Sequence, residues 1–410
     1  MNNTISFAGD FEFSKATLTS PSGAEVSMLE MIHETVIFED IFSPFITAEV
    51  LVEDHIGLYH KFPILGEEIL TLTLTDPGRQ NGFIEFDFQV YKIKEFLAKG
   101  QRGFMYRLCL ISFDAIKDMN LRISKSYKGN ASDIANQLVK KEGLQTEKNF
   151  YVEPSIGQIQ YISNYWQPIK NLKYLCNRTV AETSKSPSFL FFENKQGFYF
   201  YSLAALKGQD PVTSLHYSER LNQDADKSRH RVEKLYIDTG IDYIHRSQNG
   251  GFGSTVVYVD PTKKTYRYRY LDFMSAFEKQ PRLNELPMSS ETVARRYGST
   301  FDLNVAPTYV KPSVKNEFSE VWYQERLIEL TSIKGFELQV EVPGDFQIAV
   351  GQTLDFFMYS GDAPKSDDLN EVFDPVISGR YIITAVAHHV SRTRHVLMLT
   401  LNKDSLAKRK

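Results

Sequence analysis

Residues able to do acid–base or metal chemistry occur in this sequence mainly as adjacent pairs. These pairs are His388-His389, Glu67-Glu68 and Asp367-Asp368. Neighbouring residues of a strand point to opposite faces of a sheet, so the two histidines cannot easily bind one ion. We predict one buried and one exposed histidine, and interpret the acidic pairs as solvated charges near turns. Two catalytic carboxylates from distant parts of the sequence, as in glycosidases, stay open at this point.

The sequence lacks the common catalytic motifs. It contains no Gly-x-Ser-x-Gly elbow, no glycine-rich phosphate loop ending in Lys-Ser or Lys-Thr, and no His-Glu-x-x-His pattern. The run GGFG at 250–253 has no strand–loop–helix context and is interpreted as a hairpin turn. Cys109 and Cys176 lie in apolar patterns, which indicates buried thiols rather than nucleophiles. We therefore expect a protein that is not an enzyme, with no catalytic residue, no metal ion and no cofactor.

Alternating tyrosine and arginine, YRYRY at 266–270, could bind nucleic acid. On a strand the three tyrosines share one face, where they could stack single-stranded bases. We favour an amphipathic strand whose arginines are paired or extend to solvent. The net charge of −4, from 47 Lys and Arg against 51 Asp and Glu, gives no electrostatic support to a dedicated nucleic-acid binder.

Length and composition indicate a strand-rich protein of several domains. The 410 residues correspond to about two to four domains. The 29 Phe and 22 Tyr favour half-buried sheet surfaces. Two cysteines exclude a disulfide-built scaffold. No apolar run approaches the ~18 residues that span a bilayer, and no secretory signal pattern is visible.

Two strand-rich parts flank a part of mixed periodicity. Alternation predicts strands at 35–38, 46–52, 69–75, 83–96 and 104–111, and again at 256–259, 265–270, 336–342, 353–358, 380–390 and 395–401. Between them, Asn130 fits a helix N-cap, Pro168 a first helical position and Gly197 a hairpin turn. Residues 273–317 have little periodicity, and residues 318–333 read as a helix.

A weak internal repeat is the most informative feature. The sequence VLVED at 50–54, then GEEI at 66–69, resembles VEVPGD at 340–345, then GQTL at 351–354. A hairpin closes each unit, opened by Tyr91 in the first and by Tyr381 in the second. The repeat predicts two similar antiparallel barrels separated by an α/β segment.

The helix at 318–333 carries apolar side chains on two sides. One stripe is Tyr323, Leu327 and Leu330, and the other is Phe318, Val321 and Ile328. One stripe can cover the adjacent barrel, and the other then faces a second domain of the same chain or a second subunit. Both alternatives stay open. We take Tyr323 and Leu327 as candidates for a subunit interface.

The loop at 41–45, sequence IFSPF, places aromatic residues at a probable hairpin tip. Such tips are normally polar, so the loop suggests contact with a partner. Phe42, Pro44 and Phe45 are the candidate interface residues of this loop.

The order of several motifs resembles the baseplate hub protein of contractile-tailed phages and the hub half of type VI secretion spike proteins. The motifs are FEDIFSPFITAE at 38–49, GEEI at 66–69, KGNASDIA at 128–135, YWQPI at 165–169 and FFEN at 191–194. Each motif alone is weak, but they cover nearly the whole chain in order. Residues 273–317 and 361–375 match nothing in this pattern, and we expect any spike or lysozyme-like domain to be a separate chain.

The resemblance implies a fold and a role. The fold class is α+β and mostly β, with two antiparallel barrels like those of the tail tube and an intervening α/β domain. The expected domains are a first barrel (1–115), a middle domain (116–205), a second barrel in two parts (206–272 and 318–405) and an insertion packing with the middle domain (273–317). Three chains would form a ring of six similar units.

Such a ring would join the sixfold tail tube to a threefold central spike. The implied partners are two further copies of the chain (a homotrimer), the tail tube protein, the central spike protein and other baseplate proteins. The genome or effectors would pass through the lumen without sequence-specific binding. The expected location is the tail baseplate of a virion, assembled in the host cytoplasm. A cell-wall hydrolase of the tail tip and a carbohydrate-binding tail module remain the alternatives.

Overall fold

The fold comes from a computed structural model that describes residues 11–62, 64–75, 83–99, 103–217, 231–239, 243–249, 251–260, 264–288, 300–305, 319–359 and 373–407. We call the first elements, up to residue 112, the first unit. They are β1 (Glu12–Thr19), β2 (Glu25–Ser27), β3 (Ile32–Asp40), β4 (Thr47–Asp54), α1 (Leu58–Lys61), β5 (Ile69–Thr75), β6 (Phe83–Lys99) and β7 (Gly103–Ser112).

Residues 113–207 form the middle segment. Its elements are α2 (Phe113–Asn120), β8 (Ile123–Gly129), α3 (Ala131–Gln137) with the π-helical turn Leu138–Glu142, β9 (Phe150–Val152), β10 (Ser155–Ile156), β11 (Ile159–Trp166), α4 (Pro168–Cys176), β12 (Val180–Ala181), β13 (Phe189–Asn194), β14 (Gly197–Ser202) and α5 (Leu203–Lys207). As the sequence predicts, Asn130 is the N-cap of α3 and Pro168 begins α4. A side chain at Gly197 would place its Cβ 2.3 Å from the Asn149 carbonyl oxygen, so the hairpin turn requires glycine.

The rest of the chain holds the second unit and the insertion. The second unit comprises β15 (Pro211–Tyr217), β16 (Lys234–Thr239), β21 (Glu337–Pro343), β22 (Thr353–Met358), β23 (Gly379–Ser391) and β24 (His395–Asn402). The insertion comprises α6 (Tyr243–Gln248), β17 (Gly253–Asp260), β18 (Thr265–Asp272), α7 (Phe273–Lys279), β19 (Leu286–Pro287) and β20 (Thr300–Val305). Helix α8 (Ser319–Ile333) leads back into the second unit, and β25 (Ser405–Leu406) pairs with β19.

The two units repeat one strand order. The order is β3-β4-β7-β6-β5 in the first unit and β16-β21-β24-β23-β22 in the second. Loops match as well, because the Val90 N–H donates to the Glu68 carbonyl and the Ile383 N–H to the Gln352 carbonyl, both at 2.9 Å. Glu68 therefore corresponds to Gln352. The internal repeat is present in the fold.

The register of the repeat differs from the one that the sequence suggested at the hairpin. Strand β6 has a register shift between Val90 and Lys92, and β23 has one between Ile383 and Ala385. Tyr91 therefore corresponds to Thr384 and not to Tyr381. The expected register was wrong there because a tyrosine near the start of each hairpin does not make the two positions equivalent; the pairing of the strands defines the register.

All strands of both units belong to one thirteen-stranded sheet, because β23 pairs antiparallel with β3. The mostly β, α+β class is confirmed. Among the described residues the strands do not close a barrel. Strands β17 and β18, which the sequence assigned to the second barrel, instead form a separate three-stranded sheet with β20. Alternation locates a strand but not the sheet that it joins, and this causes the difference.

Each part has its own apolar core. The first unit packs around residues such as Leu70, Leu72 and Leu108. The second packs around Leu338, Phe356 and Leu399. The middle segment and the insertion have separate clusters. Both thiols, Cys109 and Cys176, are buried as predicted, and burial raises the pKa of Cys176 to about 12.

A pair of buried histidines lies beside the β3–β23 pairing. His388 Nδ1 lies 3.2 Å from His395 Nε2, and the ring of Phe346 stacks on His395 at 4.6 Å. Burial lowers the pKa of His395 to about 3 and lowers the pKa of His388 well below its usual value. His389 is partly exposed, as predicted for the neighbouring residue.

We expect acid to destabilise the chain through this pair. Both imidazoles stay neutral in the folded chain, whereas the unfolded chain binds protons below a pKa of about 6.5, so the free energy of unfolding falls as the pH drops below that value. The slope is about 1.4 kcal/mol per pH unit for each histidine. Urea unfolding from about pH 7 to about pH 5 should give a flatter profile for a His388→Leu/His395→Phe variant. An unchanged slope would contradict this, and the exposed His33→Leu is the control.

Candidate functional site

The main candidate site is the pairing of β3 with β23, here called the inner junction. Residues Glu34 to Asp40 pair with Ser391 to Ala385. Ile37 is fully buried and Val36 is 5% exposed at this junction. The junction joins two units of one strand order edge to edge within a single sheet.

The turn of the β13–β14 hairpin inserts at the inner junction. Glu39, which is 1% exposed, accepts the N–H groups of Lys195 at 3.0 Å and of Val350 at 3.4 Å. The Lys195 ammonium donates to the Ile348 carbonyl. Burial raises the pKa of Glu39, and these donors oppose the shift. One carboxylate thus ties the first unit, the middle segment and the second unit together.

A second buried carboxylate fixes the middle segment to the first unit. Glu193 accepts the Ile46 N–H at 3.1 Å and the Ser112 hydroxyl at 3.0 Å. The Lys148 ammonium also donates to Glu193 and lies 3.4 Å from Asp114. Burial raises the pKa of Glu193, while Lys148 acts in the opposite direction. The FFEN motif at 191–194 therefore positions the segment through its charge.

Two further edges of the sheet carry exposed apolar side chains. Strand β5 pairs with β6 only up to Gln89, so the rest of β6 has an open edge within the described part of the chain. The exposed fraction there is 53% for Tyr91 and 62% for Leu97. In the part of the chain that the structure describes, β16 pairs only with β21, and its Tyr236 and Ile237 are 61% and 42% exposed. We call these the β6 edge and the β16 edge.

These edges are the repeat equivalents of the strands at the inner junction. Ile37 pairs with Ala48 as Ile237 pairs with Leu338, so Ile237 corresponds to the fully buried Ile37. By the same register Tyr236 corresponds to Val36. The residues that the inner junction buries are thus exposed at the β16 edge.

The three candidates in the loop after β3 have different surroundings. Phe42 is 39% exposed, and the Lys334 ammonium lies 4.6 Å from its ring centre. Pro44 is half-buried. Phe45 is 9% exposed and packs edge to face with Phe198 of the middle segment, so its partner lies within the chain. Phe42 is the loop residue best placed for an outside partner.

Helix α8 bridges two parts of the same chain. Arg326 donates to the Pro187 carbonyl at 2.9 Å, and the Gln324 amide donates to the Ser254 carbonyl at 2.7 Å. Tyr323 and Leu327 are half-buried on this helix. Packing between two parts of one chain, the first alternative from the sequence, accounts for the helix. A subunit contact of Tyr323 and Leu327 stays a proposal.

The tyrosine–arginine run forms the edge strand β18. Its three tyrosines share one face, as predicted, and are 56 to 67% exposed. Arg269 lies 3.7 Å from Glu325, which agrees with the paired arginine that we favoured. The described residues contain no group of three or more His, Cys, Asp or Glu side chains arranged for a metal ion. No helix among them is long and apolar enough to cross a membrane.

Sequence reasoning missed the β6 and β16 edges and the partner of His388. Leu97, Tyr236 and Ile237 lie in ordinary strand patterns that do not tell an edge from a centre. The repeat was the available signal, because aligning its two copies puts an exposed residue against a buried one. His395 was visible only as a residue of the last predicted strand.

Comparison with known proteins shows that the chain is similar to proteins of phage tails. No protein-family model matches the chain. It is similar to the probable baseplate hub protein gp334 of Vibrio phage KVP40, with 22% identity over 309 residues that cover 70% of each protein. The resemblance inferred from the motif order is confirmed.

Two solved structures share the fold. One is the tail protein from Neisseria meningitidis MC58, with a TM-score of 0.55 and 12% identity over 95% of this chain and 96% of that one. The other is the 43 kDa tail protein of prophage MuSo2 from Shewanella oneidensis, with a TM-score of 0.54 and 9% identity over 95% and 98%. At this identity the likeness concerns the fold.

A matched pair of substitutions separates the inner junction from the β16 edge. Ile37→Ala should lower the free energy of unfolding of the dilute chain by about 2–5 kcal/mol because it leaves a cavity. Ile237→Ala, at the equivalent position, should change it by no more than about 0.5 kcal/mol. Chemical denaturation of both variants measures the difference. Equal losses would show that the β16 edge is covered within the single chain.

Proposed function

We propose that the chain is a non-enzymatic structural component of the baseplate hub in a phage tail or a related contractile injection system. The observation that carries the proposal is the inner junction, where two units with one strand order pair edge to edge. The similarity to a probable baseplate hub protein supports a place in the tail baseplate of a virion. The two units are, in this proposal, tail-tube-like barrels completed by assembly.

The inner junction is a template for contact between chains. It joins the β23 side of the second unit to the β3 side of the first. The β6 edge is the equivalent of the β23 side, and the β16 edge is the equivalent of the β3 side. In a head-to-tail contact, the β6 edge of one chain meets the β16 edge of the next chain. Such heterologous contacts close into rings when the rotation between neighbours fits. Three chains then supply six similar units.

Burial explains why the contact is stable. Pairing of the two edges covers Tyr91, Leu97, Tyr236 and Ile237, all more than 40% exposed in the single chain. Apolar area removed from water contributes about 25 cal/mol per Å². Pairing of the two strands also satisfies the backbone N–H and C=O groups of both edges.

A ring of six units in three chains matches the task of a hub. It presents near-sixfold symmetry to the tail tube and threefold symmetry to the central spike and other baseplate proteins. Passage of the genome or effectors through the lumen requires no base-specific contact, which agrees with the net charge of −4. The mechanism is complementarity of shape and edges rather than catalysis.

The register of the inner junction predicts one cross-link between chains. His389 faces Val36 there, and their equivalents are Leu97 and Tyr236. A Leu97→Cys/Tyr236→Cys variant should form disulfides that give a species of three times 47.1 kDa on a non-reducing gel. The native thiols are buried and should not compete.

The control places the second cysteine on the wrong face. Leu97→Cys/Ile237→Cys should cross-link poorly, because adjacent strand residues point to opposite faces. Three results would contradict the ring. The two variants could give equal amounts of cross-linked product, or the largest cross-linked species on the gel could contain a number of chains other than three. The chain could also stay monomeric at high concentration by light scattering.

Phe42→Asp should block assembly without unfolding the chain, since it puts a charge into a proposed partner contact. Particle assembly and circular dichroism are the measurements. Phe113→Asp is the matched control, because Phe113 is 37% exposed and also has a lysine over its ring, Lys117 at 5.5 Å. Normal particles built with Phe42→Asp would refute this contact.

A further inference from the structure

The loop before β5 presents a rigid apolar side chain. Leu65 is 79% exposed, the highest fraction among the large apolar side chains of the described residues. The Glu68 carboxylate, expected from the sequence to be solvated, is instead buried and accepts the N–H groups of Leu65 at 2.8 Å, Gly66 at 2.9 Å and Glu67 at 3.2 Å. Three such bonds fix the backbone of the loop, so the exposed Leu65 side chain projects from a rigid loop.

The equivalent loop of the second unit is covered. Gln352 accepts the Ala349 N–H at 2.8 Å, as Glu68 accepts that of Leu65. Ala349 is fully buried and Val350 is 1% exposed. The cover is the middle segment, whose Asn194 amide donates to the Val350 carbonyl at 3.3 Å. One chain has one middle segment, so among the described residues the loop at Leu65 has no such cover.

The inner junction shows what else reaches this loop. Ile41, directly after β3, donates its N–H to the Thr384 carbonyl at 3.0 Å and is fully buried in the core of the second unit. Tyr91 corresponds to Thr384. A Cβ built on Gly66 would lie 3.9 Å from the Tyr91 carbonyl, so Leu65 and Tyr91 belong to one surface. At the inner junction, therefore, the segment that follows the partner strand contacts the equivalent surface of the second unit.

The strand equivalent to β3 is β16, and helix α6 follows it. Ile244 of α6 is 67% exposed. Arg246, two residues on and therefore on the opposite side of the helix, is buried with its guanidinium 5.0 Å from the ring of Phe252. Arg246 also accepts the Gly251 N–H at 2.7 Å through its carbonyl. These contacts anchor α6 on the insertion and leave Ile244 pointing away from it.

We propose that the surface formed by Leu65 and Tyr91 binds helix α6 of a second copy of this chain, with Ile244 in the contact. The inference rests on the proposed ring and adds to it. Within a chain, the middle segment covers the junction between the two units. Between chains, the insertion of the neighbour covers the surface formed by Leu65 and Tyr91. This contact gives the insertion a role that the sequence left unassigned.

A cysteine pair tests the proximity. The Leu65→Cys/Ile244→Cys variant, treated with a short bismaleimide, should give a cross-linked trimer. The control is Leu65→Cys/Ile162→Cys, because Ile162 is 70% exposed but lies on β11 of the middle segment. Its yield of trimer should be low.

A charge substitution tests the energetics. Leu65→Asp should raise the concentration at which the trimer dissociates by at least about tenfold, measured by light scattering on dilution. Ile162→Asp should leave that concentration unchanged. Full retention of the trimer in Leu65→Asp would overturn the inference.

The two proposals fail in different ways. If Leu97→Cys/Tyr236→Cys cross-links but Leu65→Cys/Ile244→Cys does not, the ring stands and the contact of α6 is refuted. If neither pair cross-links, the ring fails and the contact with it. If Leu65→Cys in the assembled trimer reacts with a maleimide as fast as in the dilute chain, α6 does not cover it, which also refutes the contact.

Discussion

The antiparallel pairing of β3 with β23 is the constraint on which the rest of the molecule depends. It turns two separate units into one sheet, and hydrogen bonds of a ladder fix their relative position to within one residue. A slip by one residue would bring Ile37 out of the core, so the buried side chains specify the register. The β13–β14 turn, which inserts at this junction, is placed by this register.

The buried carboxylates fix the position of the middle segment relative to the two units, but they are not the source of the stability of the fold. Glu39 and Glu193 are each about 1% exposed, and removing such groups from water costs free energy that their donors only offset. Their value is directional, because each carboxylate accepts hydrogen bonds from different parts of the chain: Glu39 from two backbone N–H groups, and Glu193 from one backbone N–H, a serine hydroxyl and a lysine ammonium. Such a set of donors allows one relative placement. An apolar contact of equal area would tolerate sliding. The middle segment can therefore serve as a rigid cover of the junction.

Much of the strand content followed from the sequence, whereas the assembly of strands did not. Alternation located β4, β5 and β21 because each has one buried face, and Asn130 and Pro168 marked helix starts. The sheet to which β17 and β18 belong depends on long-range pairing that no local pattern encodes. The candidate site shows the same limit. Phe42 could be proposed from its unusual position in a loop, but Leu97 and Ile237 are unusual only in comparison with their repeat equivalents.

Exposed apolar edges invite aggregation, and the β6 edge has a feature that limits it. Strand β6 has a second register shift, between Lys94 and Leu97, where β23 is regular, and Glu95 lies there at a φ of 56°. A bulge bends the strand and interrupts its row of N–H and C=O groups, so a flat strand cannot add to it. Salt bridges from Lys94 to Glu49 and from Arg107 to Glu95 hold this shape. In the proposed ring, a partner strand has to fit this bulge, and β16 has a register shift of its own between Ile237 and Thr239. The proposal thus assigns the choice of neighbour to the shape of the edge and the stability of the contact to its apolar side chains.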